Sequence, residues 1–296
     1  MEKLVDEKVL KRILKAFNFH IKKRFGQNFL ISRQVVDKIL AAAELDESST
    51  VVEIGPGMGT LTQFLAEKAG KVLAVEIDRT IIPLLNAHIA DNKNVTIIEG
   101  DVLAIDLDAM VEEQRGSKPY RVVANLPYYI TTPILMHILE KSFQVDILVL
   151  MVQKEVAERI SASPGSKDYG ALTIGVQYRM ECEIVTKVPA NSFLPAPKVE
   201  SAVIALKRRS APAVKVESEA MFFRVVKGAF AQRRKNLLNS MFSVLPNITK
   251  PEFLELLQRL EIVHTRRGET LSILEMGKIA DILTAYYREK GDADNA

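Results

Sequence analysis

Cysteine is nearly absent: the 296-residue chain contains one, Cys182, which excludes an intrachain disulfide and a cysteine cluster for zinc. Histidine is scarce too, and its four copies show no ligand spacing, so no metal is expected. No run approaches the roughly 18 apolar residues of a membrane span. The chain begins with mixed charges instead of a basic tip and an apolar stretch, so neither a membrane-bound nor a secreted protein is expected. Repeats and low-complexity tracts are missing, and no coiled-coil pattern calls for a dimer. These exclusions point to a cytoplasmic, monomeric protein. A hydrophobic content of 48% over 296 residues suffices for a sizeable core and about two domains.

The net charge of +3 hides an uneven distribution: residues 1–30 carry +5, residues 31–206 carry −7 and residues 207–296 carry +5. An acidic body with two basic ends fits either solvated helix faces or a footprint for a polyanion. Residues 4–17 place apolar side chains on one helical stripe, and Ser32 to Glu44 reads as a second helix capped by Ser32. Strands at about 50–54, 71–75, 95–99, 120–124 and 145–152 then alternate with helices, the pattern of a doubly wound parallel sheet. Residues 163–170 read as an exposed loop, and 181–188 and 201–207 as a closing, antiparallel pair of strands. The expected division is a first domain over 1–207 containing an N-terminal helical extension, a linker over 208–217, and a smaller all-α domain over 218–296, whose last helix opens with the capping box Ser272-x-x-Glu275.

Asn125-Leu-Pro-Tyr128 follows the apolar run Tyr120-Arg-Val-Val-Ala124, which places a polar site at a strand's C-terminal end, where open α/β sheets bind ligands. The Asn125 amide oxygen and the carbonyl of Leu126 or Pro127 can accept from one exocyclic amine, and Tyr128 offers a flat face to a flipped base. Thr132-Pro133 reads as an N-cap and first helical residue that begin a helix after this loop. Upstream, Glu53-Ile-Gly-Pro-Gly-Met-Gly-Thr60 is a strand end followed by glycines at 55, 57 and 59. The third glycine comes one position early for a dinucleotide fingerprint. Glu53 is a poor neighbour for pyrophosphate and a good one for a cationic ligand such as a sulfonium amino acid. Glu76 ends the second strand and can accept from both ribose hydroxyls, and Asp101 after the third can accept from an adenine amine or simply cap a turn.

Six ordered motifs carry a family likeness: Phe25-Gly-Gln-Asn-Phe-Leu30, Glu53-Ile-Gly-Pro-Gly-Met-Gly-Thr60, Glu76, Gly100-Asp101, Asn125-Leu-Pro-Tyr128 and Phe193-Leu-Pro-Ala-Pro-Lys-Val199. In these the chain resembles the ribosomal RNA adenine dimethyltransferases that use S-adenosylmethionine, and in particular their housekeeping small-subunit branch. The resemblance implies a Rossmann-like α/β methyltransferase sheet. It also implies that Asn28, Leu30, Gly55, Gly57, Glu76, Asp101 and Asn125 hold the cofactor, that Asn125, Pro127 and Tyr128 meet the target, and that Phe193 stacks on the target base opposite Tyr128. The expected partner is small-subunit ribosomal RNA in a partly assembled particle. Lys22-Lys23-Arg24 and Arg233-Arg234-Lys235 are the basic runs expected to meet its phosphates. One departure is Tyr129, where many relatives carry Asn. Three other readings stay open: a methyltransferase of large-subunit RNA, a nicotinamide-dependent dehydrogenase, and a non-catalytic RNA-binding assembly factor.

Overall fold

The computed structural model describes residues 4–19, 21, 26–141 and 143–292. Helix α1 (Glu7–Ala16) and a two-residue strand β1 (Phe29–Leu30) precede α2 (Arg33–Ala43). Then follow β2 (Thr50–Ile54), α3 (Thr62–Leu65), β3 (Lys71–Glu76), α4 (Ile82–Ile89), β4 (Val95–Glu99), α5 (Leu107–Glu113), β5 (Tyr120–Asn125), α6 (Thr131–Glu140), β6 (Val145–Gln153) and α7 (Lys154–Ile160). The remainder is α8 (Ala171–Gln177), β7 (Met180–Val188), β8 (Phe193–Leu194), β9 (Ser201–Arg208), α9 (Glu219–Ala231), α10 (Leu237–Phe242), α11 (Lys250–Arg259) and α12 (Ile273–Glu289).

Seven strands form one sheet in the order β4-β3-β2-β5-β6-β9-β7. The first five are parallel, and β9 runs antiparallel to β6. Strand order reverses between β2 and β5, and such a switch point opens a crevice at the strands' carboxyl ends. The register Ile54↔Ala124 brings the start of the glycine loop beside Asn125. The central strands are long apolar runs because both faces are covered: β2 is buried along its whole length, and β6 at all but its second and last residues.

One helix start differs from the sequence reading. Helix α6 begins at Thr131, with Ile130 as its cap residue and no side-chain cap bond. The Thr131 hydroxyl turns back to the Pro127 carbonyl at 3.4 Å instead. Ser32 occupies the cap position of α2 but makes no cap bond. In α1 the Asp6 carboxylate accepts from the N–H groups of Lys8 and Val9. The surface that α1 covers is an apolar cluster in which its fully buried Leu10, with Leu4, joins Phe29, Met58, Ile81 and Leu84.

The chain divides into two compact units: residues 1–157 with 182–208, and residues 158–181 with 209–296. The expected assignment of 158–181 to the first domain is therefore corrected. Tyr169, Ile174 and Tyr178 of this segment are buried with Phe222, Phe253, Leu283 and Tyr287 in the core of the second unit. The expected linker over 208–217 is also more than a tether. Ala213 N–H donates to the Tyr178 carbonyl at 2.8 Å, and Val214 and Val216 pack on the same core. The Ser272–Glu275 capping box forms as expected. No helix among the described residues is long and apolar enough to cross a membrane.

Candidate active site

At the switch point of the first unit lies a cleft that is open to solvent, in the place where open α/β sheets bind ligands. Its walls come from Gly26–Leu30, Glu53, the glycine loop, Glu76 and Asn125–Tyr128. Gly55 has φ +70°, and a Cβ there would meet nothing within 4 Å, so its backbone faces open space where a ligand can approach. Gly59 has φ +91°, and a Cβ would come within 2.9 Å of Leu85, so this turn admits no side chain without repacking α4.

Two carboxylates define the electrostatics. Glu76 is buried and accepts from Gly57 N–H at 3.0 Å and Asp78 N–H at 2.8 Å. Burial raises its pKa above the ordinary carboxylate value, and the backbone hydrogen bonds oppose that shift. Glu53 is 1% exposed, and its Oε2 has no hydrogen-bond partner. Burial pushes its pKa up to about 8; Thr62 opposes this and the nearby Glu76 adds to it. Glu53 is thus a neutral acid at pH 7. Its unpaired oxygen in the cleft wall can meet a donor or a cation, and a cation, unlike a pyrophosphate, is favoured once the acid ionises. The open backbone at Gly55, Glu53 and Glu76 fit a cationic nucleoside-bearing ligand.

Asn125 and Asn28 are directly joined. Asn125 Nδ2 donates to the Asn28 carbonyl at 3.0 Å, and Asn28 Nδ2 donates to the Gly26 carbonyl at 3.0 Å. The first bond orients the Asn125 amide with its nitrogen on Asn28, which leaves Oδ1 as the acceptor for a substrate. The Pro127 carbonyl already accepts from Ile130 N–H at 3.1 Å and from the Thr131 hydroxyl. These bonds make the Pro127 carbonyl the more committed of the two candidate acceptors. Tyr128 is half-buried, its hydroxyl 2.7 Å from Ser201 Oγ.

Of the other expected site residues, Leu30 and Gly57 line the cleft. Asp101 does not; it is exposed and its carboxylate accepts from Leu103 N–H at 3.0 Å, capping a 3₁₀ turn. Phe193 departs from the expected stacking position. It pairs with Leu30 in a short antiparallel ladder, β1 against β8, and is 3% exposed in the core cluster of Val36 and Ile39. The ladder that closes the cleft's N-terminal wall buries the ring.

Gln27 was not singled out by its sequence. It lines the cleft and donates to the buried carboxylate of Asp78 at 3.0 Å, tying the N-terminal wall to the turn after Glu76. Ile77, between Glu76 and Asp78, is apolar yet 49% exposed. Gln27 lies within the motif Phe25–Leu30, which signalled the segment but not this side chain's bond to Asp78, and Ile77 carries no sequence signal.

In the second unit, Arg233, Arg234 and Lys235 are exposed on the turn between α9 and α10. Arg233 donates to the Lys167 carbonyl. A second basic loop lies beside them, where Leu237 N–H donates to the Arg266 carbonyl at 2.6 Å. Gly268 in that loop is pressed so closely on α9 that a Cβ would stand 2.1 Å from the Ala229 carbonyl oxygen. The exposed Arg267 thereby joins the patch, although its only sequence signal was a pair of arginines. Lys22, Lys23 and Arg24 lie outside the described residues.

Comparison with known proteins agrees with this geometry. The family model described as ribosomal RNA adenine dimethylase matches residues 18–281. A protein named ribosomal RNA small subunit methyltransferase A from Alkaliphilus metalliredigens (strain QYMF) is 48% identical over 285 residues, 96% of this chain and 99% of that protein. One of the same name from Lactococcus lactis subsp. lactis (strain IL1403) is 47% identical over 272 residues, 92% of each chain. Among solved structures, a dimethyladenosine transferase from Plasmodium falciparum superposes with a TM-score of 0.74 at 26% identity, covering 89% of this chain and 98% of that one. A 23S rRNA methyltransferase, ErmE, gives 0.68 at 26% identity over 86% of this chain and 99% of that one. The glycine loop, the joined asparagines and a family match over nearly the whole chain lead to one assignment: the chain belongs to the ribosomal RNA adenine dimethylase family.

Proposed function

We propose that the chain transfers methyl groups from S-adenosylmethionine to the exocyclic N6 of adenines in small-subunit ribosomal RNA, two per base. The observation that carries this reading is the locked Asn125 amide, whose nitrogen is held by the Asn28 carbonyl. Its oxygen and the Leu126 carbonyl form a pair of acceptors for one amine. Such a pair holds the amine's hydrogens so that the nitrogen lone pair turns away from the ring and becomes nucleophilic.

The cofactor, when bound, supplies an electrophilic methyl on a sulfonium. Around it, Glu76 takes the ribose hydroxyls, and Asn28, Leu30, Gly55 and Gly57 shape the remaining wall; Asp101, outside the cleft and with one oxygen on Leu103 N–H, offers its other oxygen to an adenine that extends past Glu76. Glu53 contributes an acid that ionises next to positive charge. Tyr128 offers the face on which the target base stacks, and Phe193 supports that wall from beneath by holding Leu30. After one methyl transfer and loss of a proton to water, the amine keeps one hydrogen for one of the two acceptors, so a second transfer follows where the pocket admits the first methyl. The patch at Arg233–Lys235 with Arg267 holds RNA phosphate. The substrate is a partly assembled cytoplasmic subunit, and the enzyme acts as a monomer.

The test is transfer of labelled methyl from S-adenosylmethionine to small-subunit particles and to large-subunit RNA, each without its native modifications, followed by mass spectrometry of the nucleosides. Dimethyladenosine from the small-subunit particle alone is the expected result. Product from large-subunit RNA alone would move the substrate, and cofactor binding without product would make the protein an assembly factor.

A further inference from the structure

Tyr128 follows β5, yet its hydroxyl bonds to Ser201, the first residue of β9, which lies two strands along the sheet. The tyrosine therefore reaches across the end of β6. Ser201 is completely buried and sits opposite Gln153, the last residue of β6. Its location is fixed from the adjoining residues. Lys154 N–H donates to the Glu200 carbonyl at 3.0 Å, and the Lys154 ammonium pairs with the Glu200 carboxylate at 2.8 Å. The serine is thus an anchored point, whereas Tyr128 belongs to a loop.

A tyrosine ring has two side-chain torsions, and the terminal one is soft. A ring pinned only by its Cα can tilt; one pinned also at its hydroxyl has a defined plane. The 2.7 Å bond to an immobile hydroxyl supplies that second point, while the Pro127 carbonyl, held by Ile130 and Thr131, steadies the backbone just before it. We propose that Ser201 is a positioning residue for methyl transfer: by holding the Tyr128 hydroxyl, it sets the plane of the ring against which the target adenine lies. This rests on the reading of Tyr128 as the stacking face, and the variants below separate the two claims.

Ser201→Ala, Tyr128→Phe, the double variant and Tyr128→Ala are compared in single-turnover methylation of the undermethylated small-subunit particle. Cofactor affinity is measured by calorimetry. Removing one hydrogen bond that orients a reacting partner should slow the chemical step by about three- to tenfold. Ser201→Ala and Tyr128→Phe should each show that loss, the double variant should be no slower than either, and cofactor affinity should not move. A merely structural serine would instead lower stability and multiply with Tyr128→Phe. Because Tyr128→Phe breaks the same bond from the exposed side, the test survives if Ser201→Ala folds poorly. Losses that multiply, or a normal rate in Ser201→Ala beside a slow Tyr128→Ala, would overturn the serine's role alone. A normal rate in Tyr128→Ala would overturn the stacking reading and this proposal with it.

Discussion

Replacing Glu53 by Gln should make the first unit more stable at neutral and alkaline pH. In the folded chain Glu53 is buried with one oxygen unpaired, and its pKa stands at about 8 against an ordinary 4.5. The folded state thus keeps a proton that the unfolded state releases. Stability therefore falls as pH rises between those two values, by about 1.4 kcal/mol per pH unit, and levels off above the folded value. From pH 5 to pH 8 this one group costs on the order of 4 kcal/mol. Glutamine is neutral throughout, so the variant should lose that slope and exceed the native protein by roughly 3–4 kcal/mol at pH 8. Hydrogen exchange of the Val51–Ile54 amides across this range, corrected for the intrinsic pH dependence of exchange, reads the opening of the first unit without treating a two-unit chain as one transition. Parallel slopes in the native protein and the variant would show that Glu53 is already ionised in the fold and that burial does not hold its proton.

Three other substitutions probe the remaining claims. Asn125→Ala should slow single-turnover methylation by about a hundredfold or more, the scale for removing a preorganised polar group from an active site; near-normal turnover would remove Asn125 from the mechanism. Phe193→Ala should cost about 3–5 kcal/mol in urea unfolding, as for a buried ring, and a loss below about 1 kcal/mol would mean that the ring is not part of the core. Reversing the charges at Arg233, Arg234 and Lys235 should weaken RNA binding and flatten its log–log salt slope by up to about 2, with cofactor affinity unchanged; an unaltered slope in fluorescence anisotropy would place these residues away from RNA.

The parallel strands were legible because each is an apolar run, four of the five ended by Gly, Asn or an acidic residue, and their carboxyl ends carried the glycine loop, Glu76 and Asn125. Burial that depends on distant partners was not legible. Phe193 looks available in a Pro-rich stretch, and only its pairing with Leu30 shows the ring covered. Residues 158–181 read as part of the first domain because they continue the strand–helix alternation, while their core partners come more than 40 residues later, from Met221 onward. The bonds from Gln27 to Asp78 and from Tyr128 to Ser201 join positions 51 and 73 residues apart, beyond the reach of any local pattern. The threonines before Pro133 looked like capping residues, but α6 starts at Thr131 with Ile130 at the cap, and the Thr131 hydroxyl donates to the Pro127 carbonyl instead of accepting from the first turn.

The interleaving of the two units has consequences for synthesis and engineering. Because 158–181 emerge before β7 and β9 complete the sheet, Tyr169, Ile174 and Tyr178 leave the ribosome long before Phe222, Phe253 and Tyr287 exist to cover them. The nascent chain carries these side chains without their core partners until α9 supplies Phe222 against Tyr178 and Phe230 against Tyr169. No single cut separates the units cleanly: a stop after Arg208 would keep the methyltransferase sheet but strand three core residues of its neighbour in solvent. A usable minimal enzyme would need that loop shortened or made polar. An ancestor built by appending helices to an older methyltransferase would have had to change the middle of its chain as well as its end.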